Sequence, residues 1–482
     1  MRSREKAAQP FSAARRFEAA TSIAMASWQQ QLRRIIHDGV SFPRTRGPLA
    51  PVADRTFPNR PLICRYLSKA KAAPLRSCAG GASADSYPQH RLTRHASQVP
   101  MNILVTGGAG FIGTRLVERL ATFASVTVVD SLEPQIHGQM GFPRALEAAS
   151  RCLQADVRDP SAYKQFLDDV DVLIHLASQT GTGQSMYELG RYVCSNGFGT
   201  AQLLESILAA KRPPARVILA SSRAVYGEGV YESAGTLHSA RRSLENLKSG
   251  IWEPTDPDGN VVSPMPMRES HPTEPTSVYG LTKLWQEQLV QTVCGSQNID
   301  SVILRLQPVF GPGQAVGNPY AGIVGTVSRC VLANEPVDLF EVGLMTRDFL
   351  FIDDAVAAIE AVVRHEGPLR GVYNVGSGST TSLSALVDTI STLAGRNPTV
   401  HYSGRFRVGD VRHAVADMAR FRAAFCVPPP MQLEDGLTAY LAWFAAQPTV
   451  DPEQHLSALS EMASHALLLE AADRGITGRP IS

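Results

Sequence analysis

Residues 102–113 read NILVTGGAGFIG, and this stretch constrains the fold more than any other in the chain. An apolar run of strand type, Ile103-Leu-Val105, ends in Thr106 and passes into Gly107-x-x-Gly110-x-x-Gly113. An amphipathic run follows, with Leu116, Val117 and Leu120 at helical spacing. Strand, tight glycine turn and helix together make a phosphate site. The glycines let the backbone approach a pyrophosphate, and the helix N-terminus turns N–H groups toward its charge. Phe111 and Ile112, inside the turn, and Gly113 complete the candidate cradle. A second apolar strand, Val126-Thr-Val-Val129, ends in Asp130, 17 residues after Gly113. An acid there binds both ribose hydroxyls and repels a 2′-phosphate, so the expected cofactor is NAD rather than NADP.

At 482 residues the chain is long enough for two or three domains. Its small net charge of +2 hides an asymmetry. Residues 1–100 hold 17 Lys/Arg against 5 Asp/Glu, whereas the remainder holds 29 against 39. Basicity therefore belongs to the first hundred residues. No basic stripe marks the rest, and a nucleic-acid partner is not expected. Seven cysteines show no CxxC and no paired spacing, which fits free thiols in a reducing, cytoplasmic setting and no metal site. No run approaches the ~18 apolar residues of a membrane span, so no membrane partner is expected.

Residues 1–100 lack a sustained hydrophobic period. They read either as an Arg-rich organelle transit segment or as an upstream extension before a working start at Met101, the second being preferred. In both readings the segment is expected to be disordered and to carry no chemistry. From 101 to 306 apolar strands alternate with helical stretches, which predicts a doubly wound α/β fold with a parallel sheet. Asp156 and Val157 are expected at a strand end beside an adenine, although the spacing fits a helix N-cap for Asp156 equally well. The strand Val170 to Ala177 puts Leu176 and Ala177 at the sheet's C-terminal edge, where ligands of such sheets bind. Residues 228–275 interrupt the alternation as an inserted lobe, with a charged helical piece around 240–247. Residues 307–447 are expected to form a smaller α/β substrate-binding lobe, and 448–482 a weakly anchored helical tail.

Tyr279-Gly-Leu-Thr-Lys283 sets a phenol and an ammonium four residues apart on one helix face. A nearby cation favours phenolate, so Tyr279 is a candidate base and Lys283 a candidate ligand for the cofactor's nicotinamide ribose. Ser222, ending the strand that starts at Val217, is the candidate group to orient a substrate hydroxyl. Base, orienting hydroxyl and nicotinamide are the parts hydride transfer from a secondary alcohol requires.

The segments Thr106–Gly113, Ser221-Ser-Arg-Ala-Val-Tyr-Gly227 and Tyr279-Gly-Leu-Thr-Lys283 resemble the extended short-chain dehydrogenase/reductase family, in its nucleotide-sugar epimerase/dehydratase branch. The resemblance covers 101 to about 447. It implies a Rossmann-type NAD-binding domain, a catalytic Ser222/Tyr279/Lys283 set and a homodimer formed through two helices from each chain. It also implies that Arg347 and Arg407 hold the diphosphate of a nucleotide-diphosphate sugar; Asn374, at a strand end, matches the family pattern too but reads as structural. Where the family carries an Asn that helps position the pyrophosphate, this chain has Pro308, with Gln307 beside it as the available amide.

The residues after Ser222 bear on the reaction. Relatives that eliminate water carry Asp-Glu there, and decarboxylating relatives keep the Glu; this chain has Arg223-Ala224. What remains is 4-epimerisation, in which C4 is oxidised transiently and the hydride returns to the other face of the 4-keto sugar. The run Ser221 to Gly229, with Gly250 to Pro254 and Asn318 to Ile323, resembles a subgroup acting on dTDP- or UDP-linked 6-deoxyhexoses. A net 4-ketoreductase or dehydrogenase using the same residues, and a non-catalytic NAD-binding sensor, are the alternatives.

Overall fold

The computed structural model describes residues 100–472, apart from 139, 150, 240, 317, 319–321 and 449–451. The expectations for 1–99 lie outside the described residues.

Seven strands form one all-parallel sheet. They are β1 Met101–Thr106, β2 Ala124–Asp130, β3 Arg151–Gln154, β4 Val172–His175, β5 Arg216–Ser222, β6 Asp300–Leu306 and β7 Gly371–Val375. The spatial order is β7-β6-β5-β4-β1-β2-β3. The order reverses between β1 and β4, which share one register from Ile103↔Val172 to Thr106↔His175. Ligands of doubly wound sheets bind at such a reversal, beyond the carboxyl ends of the strands.

The helices bury apolar stripes on the two faces. In α1, Phe111–Leu120, the residues Leu116, Val117 and Leu120 are fully buried, each contributing roughly 1.5–3 kcal/mol. The helical segment 189–209 passes through a π-helical stretch at Val193–Phe198 before α2, Gly199–Ala209. Helix α3, Val278–Ser296, starts where the Ser277 hydroxyl accepts from Gly280 N–H at 3.1 Å.

Three boundaries differ from the sequence reading. The sheet takes its seventh strand from 371–375, beyond the limit set at 306, and the helix at 352–364 is tied to α1 through Arg115 and Asp353 at 2.8 Å. A short parallel strand with an exposed turn on either side gives little periodicity to read, so β7 was assigned to the second lobe. In the inserted lobe the helix is only Leu244–Lys248, capped by Ser243. Arg242 precedes it and is buried between Glu228 at 3.3 Å and Glu341 at 2.5 Å. The tail contributes more than a helix: after Pro452–Ser464, the strand Leu468–Glu470 pairs antiparallel with Arg405–Arg407.

Among the described residues no helix is long and apolar enough to cross a membrane, and no group of three His, Cys, Asp or Glu could hold a metal. Four of the described cysteines, at 152, 194, 294 and 330, are free thiols.

Candidate active site

The glycine turn sits against the sheet edge. Gly107 adopts φ +70°, and a Cβ on it would lie 2.6 Å from Ala177 N. A Cβ on Gly113 would lie 2.4 Å from the Gly107 carbonyl oxygen, so only glycine lets α1 start this close to the turn. No side chain caps α1 at Gly110, and its first turn holds no acid. Asp130 closes the turn: its Oδ2 accepts from Ala109 N–H at 2.9 Å and its Oδ1 from Leu132 N–H at 2.9 Å. An uncapped helix N-terminus above a steric cradle, with a carboxylate at the end of β2, fits a dinucleotide.

One cavity of about 810 Å³ connects this turn to the rest of the candidate site. Gly107, Gly110, Phe111, Ile112, Gly113 and Asp130 line one end, followed by Asp156, Val157, Leu176 and Ala177. Asp156 is not a helix N-cap. Its carboxylate accepts from Arg158 N–H at 2.8 Å, and Asp159 caps the next turn instead. The Arg158 pair draws the Asp156 carboxyl below its ordinary pKa against the effect of burial.

Ser222, Tyr279 and Lys283 meet in the middle of the same cavity. Ser222 ends β5, where its hydroxyl accepts from Ala224 N–H at 3.1 Å. A Cβ on Gly280 would lie 2.5 Å from the Ala224 carbonyl oxygen, which explains a glycine directly after Tyr279: it lets α3 press against the turn that follows Ser222. The Tyr279 backbone N–H donates to Ser185 Oγ at 3.0 Å. Asn196 donates to Thr282 at 2.9 Å and accepts from Gln179 N–H at 2.7 Å, joining α3 to the loop after β4.

The expected lowering of the Tyr279 pKa is absent. Burial pushes the phenol up, and a hydrogen bond with the Ser222 hydroxyl opposes this only in part. Lys283 Nζ donates to the Ala220 carbonyl at 2.9 Å. Burial brings the Lys283 ammonium down to about 7, with Glu287 acting the other way.

Beyond this centre the cavity is lined by Arg347, Arg407 and Asp410. Arg347 donates to Asp410 Oδ1 at 2.9 Å. Asp410 is held below the ordinary carboxylate range by Arg347, Arg407 and Arg242 in spite of burial. Gln307 also lines the cavity, with both amide atoms buried and no partner for either. Asn374 is structural: it accepts from Tyr226 Oη at 2.7 Å and donates to Met267 O at 2.7 Å.

Several lining residues escaped the sequence reading. Leu459 and Met462, on the tail helix, form part of the wall, and Tyr187 stacks on His465 at 4.9 Å. This helix lies outside the quoted motifs, and its short amphipathic pattern carries no chemical signature.

The family model of the NAD dependent epimerase/dehydratase family matches residues 103–376. The chain belongs to this family. A dTDP-L-rhamnose 4-epimerase of Burkholderia thailandensis is 39% identical over 350 residues, covering 72% of this chain and 95% of that protein. A solved UDP-glucose 4-epimerase of Thermotoga maritima, with UDP-glucose, is 26% identical with a TM-score of 0.58, covering 72% of this epimerase-family chain and 99% of that one. A UDP-glucuronic acid 4-epimerase of Bacillus cereus, in complex with UDP-glucuronic acid and NAD, is 26% identical with a TM-score of 0.59, over 72% and 99%.

Proposed function

We propose that this chain is an NAD-dependent nucleotide-sugar 4-epimerase whose substrate is a dTDP- or UDP-linked 6-deoxyhexose. The observation that carries the reading is the meeting of Ser222, Tyr279 and Lys283 in one cavity with a dinucleotide cradle at one end and an arginine pair at the other. No acid–base pair stands after Ser222, where Arg223 and Ala224 leave nothing to catalyse loss of water.

NAD, when bound, supplies the hydride acceptor and gives the hydride back, so the reaction is redox-neutral overall. Gly107, Gly110 and Gly113 with the start of α1 hold the pyrophosphate. Asp130 holds the adenosine ribose, with Asp156 and Val157 at the adenine and Leu176 and Ala177 along the dinucleotide. Lys283 holds the nicotinamide ribose. Tyr279 takes the proton of the C4 hydroxyl and later returns it, while Ser222 fixes that oxygen. Arg347 and Arg407 grip the diphosphate, a planar guanidinium being suited to paired phosphate oxygens.

The same reading includes a homodimer and a cytosolic location. Leu281 and Trp285 on α3 are 58% and 42% exposed, and Phe198 on the adjoining segment is 50% exposed. A Cβ on Gly197 would lie 2.2 Å from the Trp285 ring, so Trp285 packs against the segment that carries Phe198. The free thiols support a reducing compartment.

The test is incubation of the full chain with dTDP-L-rhamnose, UDP-glucose or UDP-galactose without added cofactor, with sugar configuration read by NMR. Accumulation of the C4 epimer is the expected result. Dihydronicotinamide changing in proportion to sugar would assign a ketoreductase or dehydrogenase instead. Bound NAD with no turnover would favour a sensor.

A further inference from the structure

Strands β5 and β6 run in register with Ser222 opposite Leu306. The next residues, Arg223 and Gln307, therefore leave neighbouring strand ends side by side, one step past the serine. Both line the cavity, and both are buried, at 9% and 2% exposure.

Three of their polar atoms lack partners among the described residues. Arg223 donates from Nη2 to the Gly227 carbonyl at 2.5 Å, but its Nε has no acceptor. Gln307 has a partner for neither Oε1 nor Nε2. Arg242, Arg347 and Arg412, by contrast, each sit on a carboxylate. Arg223 forms no ion pair among the described residues. Orphaned groups inside a protein are costly and rare, and here three of them belong to the two residues that follow the adjoining ends of β5 and β6.

The chemistry of the three atoms selects a ligand group. Arg223 Nε and Gln307 Nε2 offer protons, whereas Gln307 Oε1 needs one. A phosphate or carboxylate accepts but has no proton for Oε1. A hydroxyl does both. We propose that Arg223 and Gln307 are a specificity-determining pair that reads a ring hydroxyl of the hexose, next to the carbon presented to Ser222 and Tyr279. This rests on the nucleotide-sugar reading above, and it moves Gln307 from the pyrophosphate to the sugar.

The experiment is calorimetric titration of the full chain and its Arg223→Met and Gln307→Leu variants. The probes are dTDP and UDP, and whichever of dTDP-L-rhamnose and UDP-glucose binds the parent more tightly. Each variant is expected to weaken nucleotide-sugar binding at least about tenfold while changing nucleoside diphosphate binding by less than about twofold. NAD content and Tm stay at parental values. On an analogue of the same nucleotide sugar lacking the hydroxyl that is read, parent and variants bind alike.

Parental affinity in both variants would overturn the proposal and leave the function standing. So would an equal loss for the nucleoside diphosphate, which would return the pair to the pyrophosphate or to the fold. Failure of the parent to bind any of the probes would overturn the nucleotide-sugar reading itself, and the proposal with it.

Discussion

Lys283 donates from Nζ to the Ala220 carbonyl at 2.9 Å, so the helix that carries Tyr279 is tied to the strand that carries Ser222. The bond spans the two elements whose relative position decides whether a hydroxyl lies against both the phenol and the serine. Burial holds the Tyr279 phenol above its ordinary pKa, so under the proposed function cofactor and substrate must bring it down before it can act as a base. Tyr279→Phe is expected to lower kcat by about 10²–10⁴ with NAD retained, since the phenol moves the proton and the glycine turn holds the dinucleotide. Coupled measurement of turnover and of NAD released on denaturation checks this. Loss of NAD together with activity would show that the tyrosine serves chiefly to bind.

Asp130 joins the glycine turn to the end of β2 through the Ala109 N–H. Asp130→Asn keeps an acceptor for that bond but removes the charge. NAD affinity should fall about tenfold, because hydrogen bonds to a charged partner are the stronger ones, and discrimination against NADP should shrink. Fluorescence titration of stripped protein with both cofactors measures the ratio. An unchanged preference would mean that another residue reads the ribose.

His175 is buried between Thr106 at 2.7 Å and Thr200 at 2.9 Å, and burial lowers its pKa to about 3. In the unfolded chain it titrates near 6.5. Below that pH the unfolded chain binds a proton that the folded chain refuses, so stability falls by about 1.4 kcal/mol per pH unit, down toward pH 3. Urea denaturation of the parent and of His175→Asn between pH 7 and 4.5 should show a slope steeper by one proton in the parent. Parallel slopes would mean that His175 takes up its proton in the folded chain as well, and would contradict this account.

Trp285 on α3 lies over Gly197 of the 189–198 segment and is 42% exposed. Trp285→Asp should convert a dimer to a monomer by light scattering, with NAD content unchanged. A parent that is monomeric at micromolar concentration would remove the dimer from the account.

The NAD half of the site was legible because each part has a local signature. Gly107 and Gly113 sit where backbone crowds backbone, and Asp130 ends a run of buried strand residues. The Tyr279/Lys283 spacing was equally clear, but its electrostatics were not. Whether a lysine faces a phenol or a backbone carbonyl is decided by the strand packed against it, and Ala220 is 63 residues before Lys283 in the chain. β7 reads as part of the second lobe for a related reason: five residues that complete a parallel sheet look like a strand of any lobe. Arg223 was noticed only as the absence of an acid. Its orphaned Nε exists only once β5 and β6 stand side by side.

Deuterium at C4 of the nucleotide hexose tests the central claim most directly. Transient oxidation at that carbon, with the hydride held inside the protein and returned, predicts a C4 epimer that keeps its deuterium, with none appearing in free dihydronicotinamide. Loss of the label to water, or its arrival in a released cofactor, would contradict it.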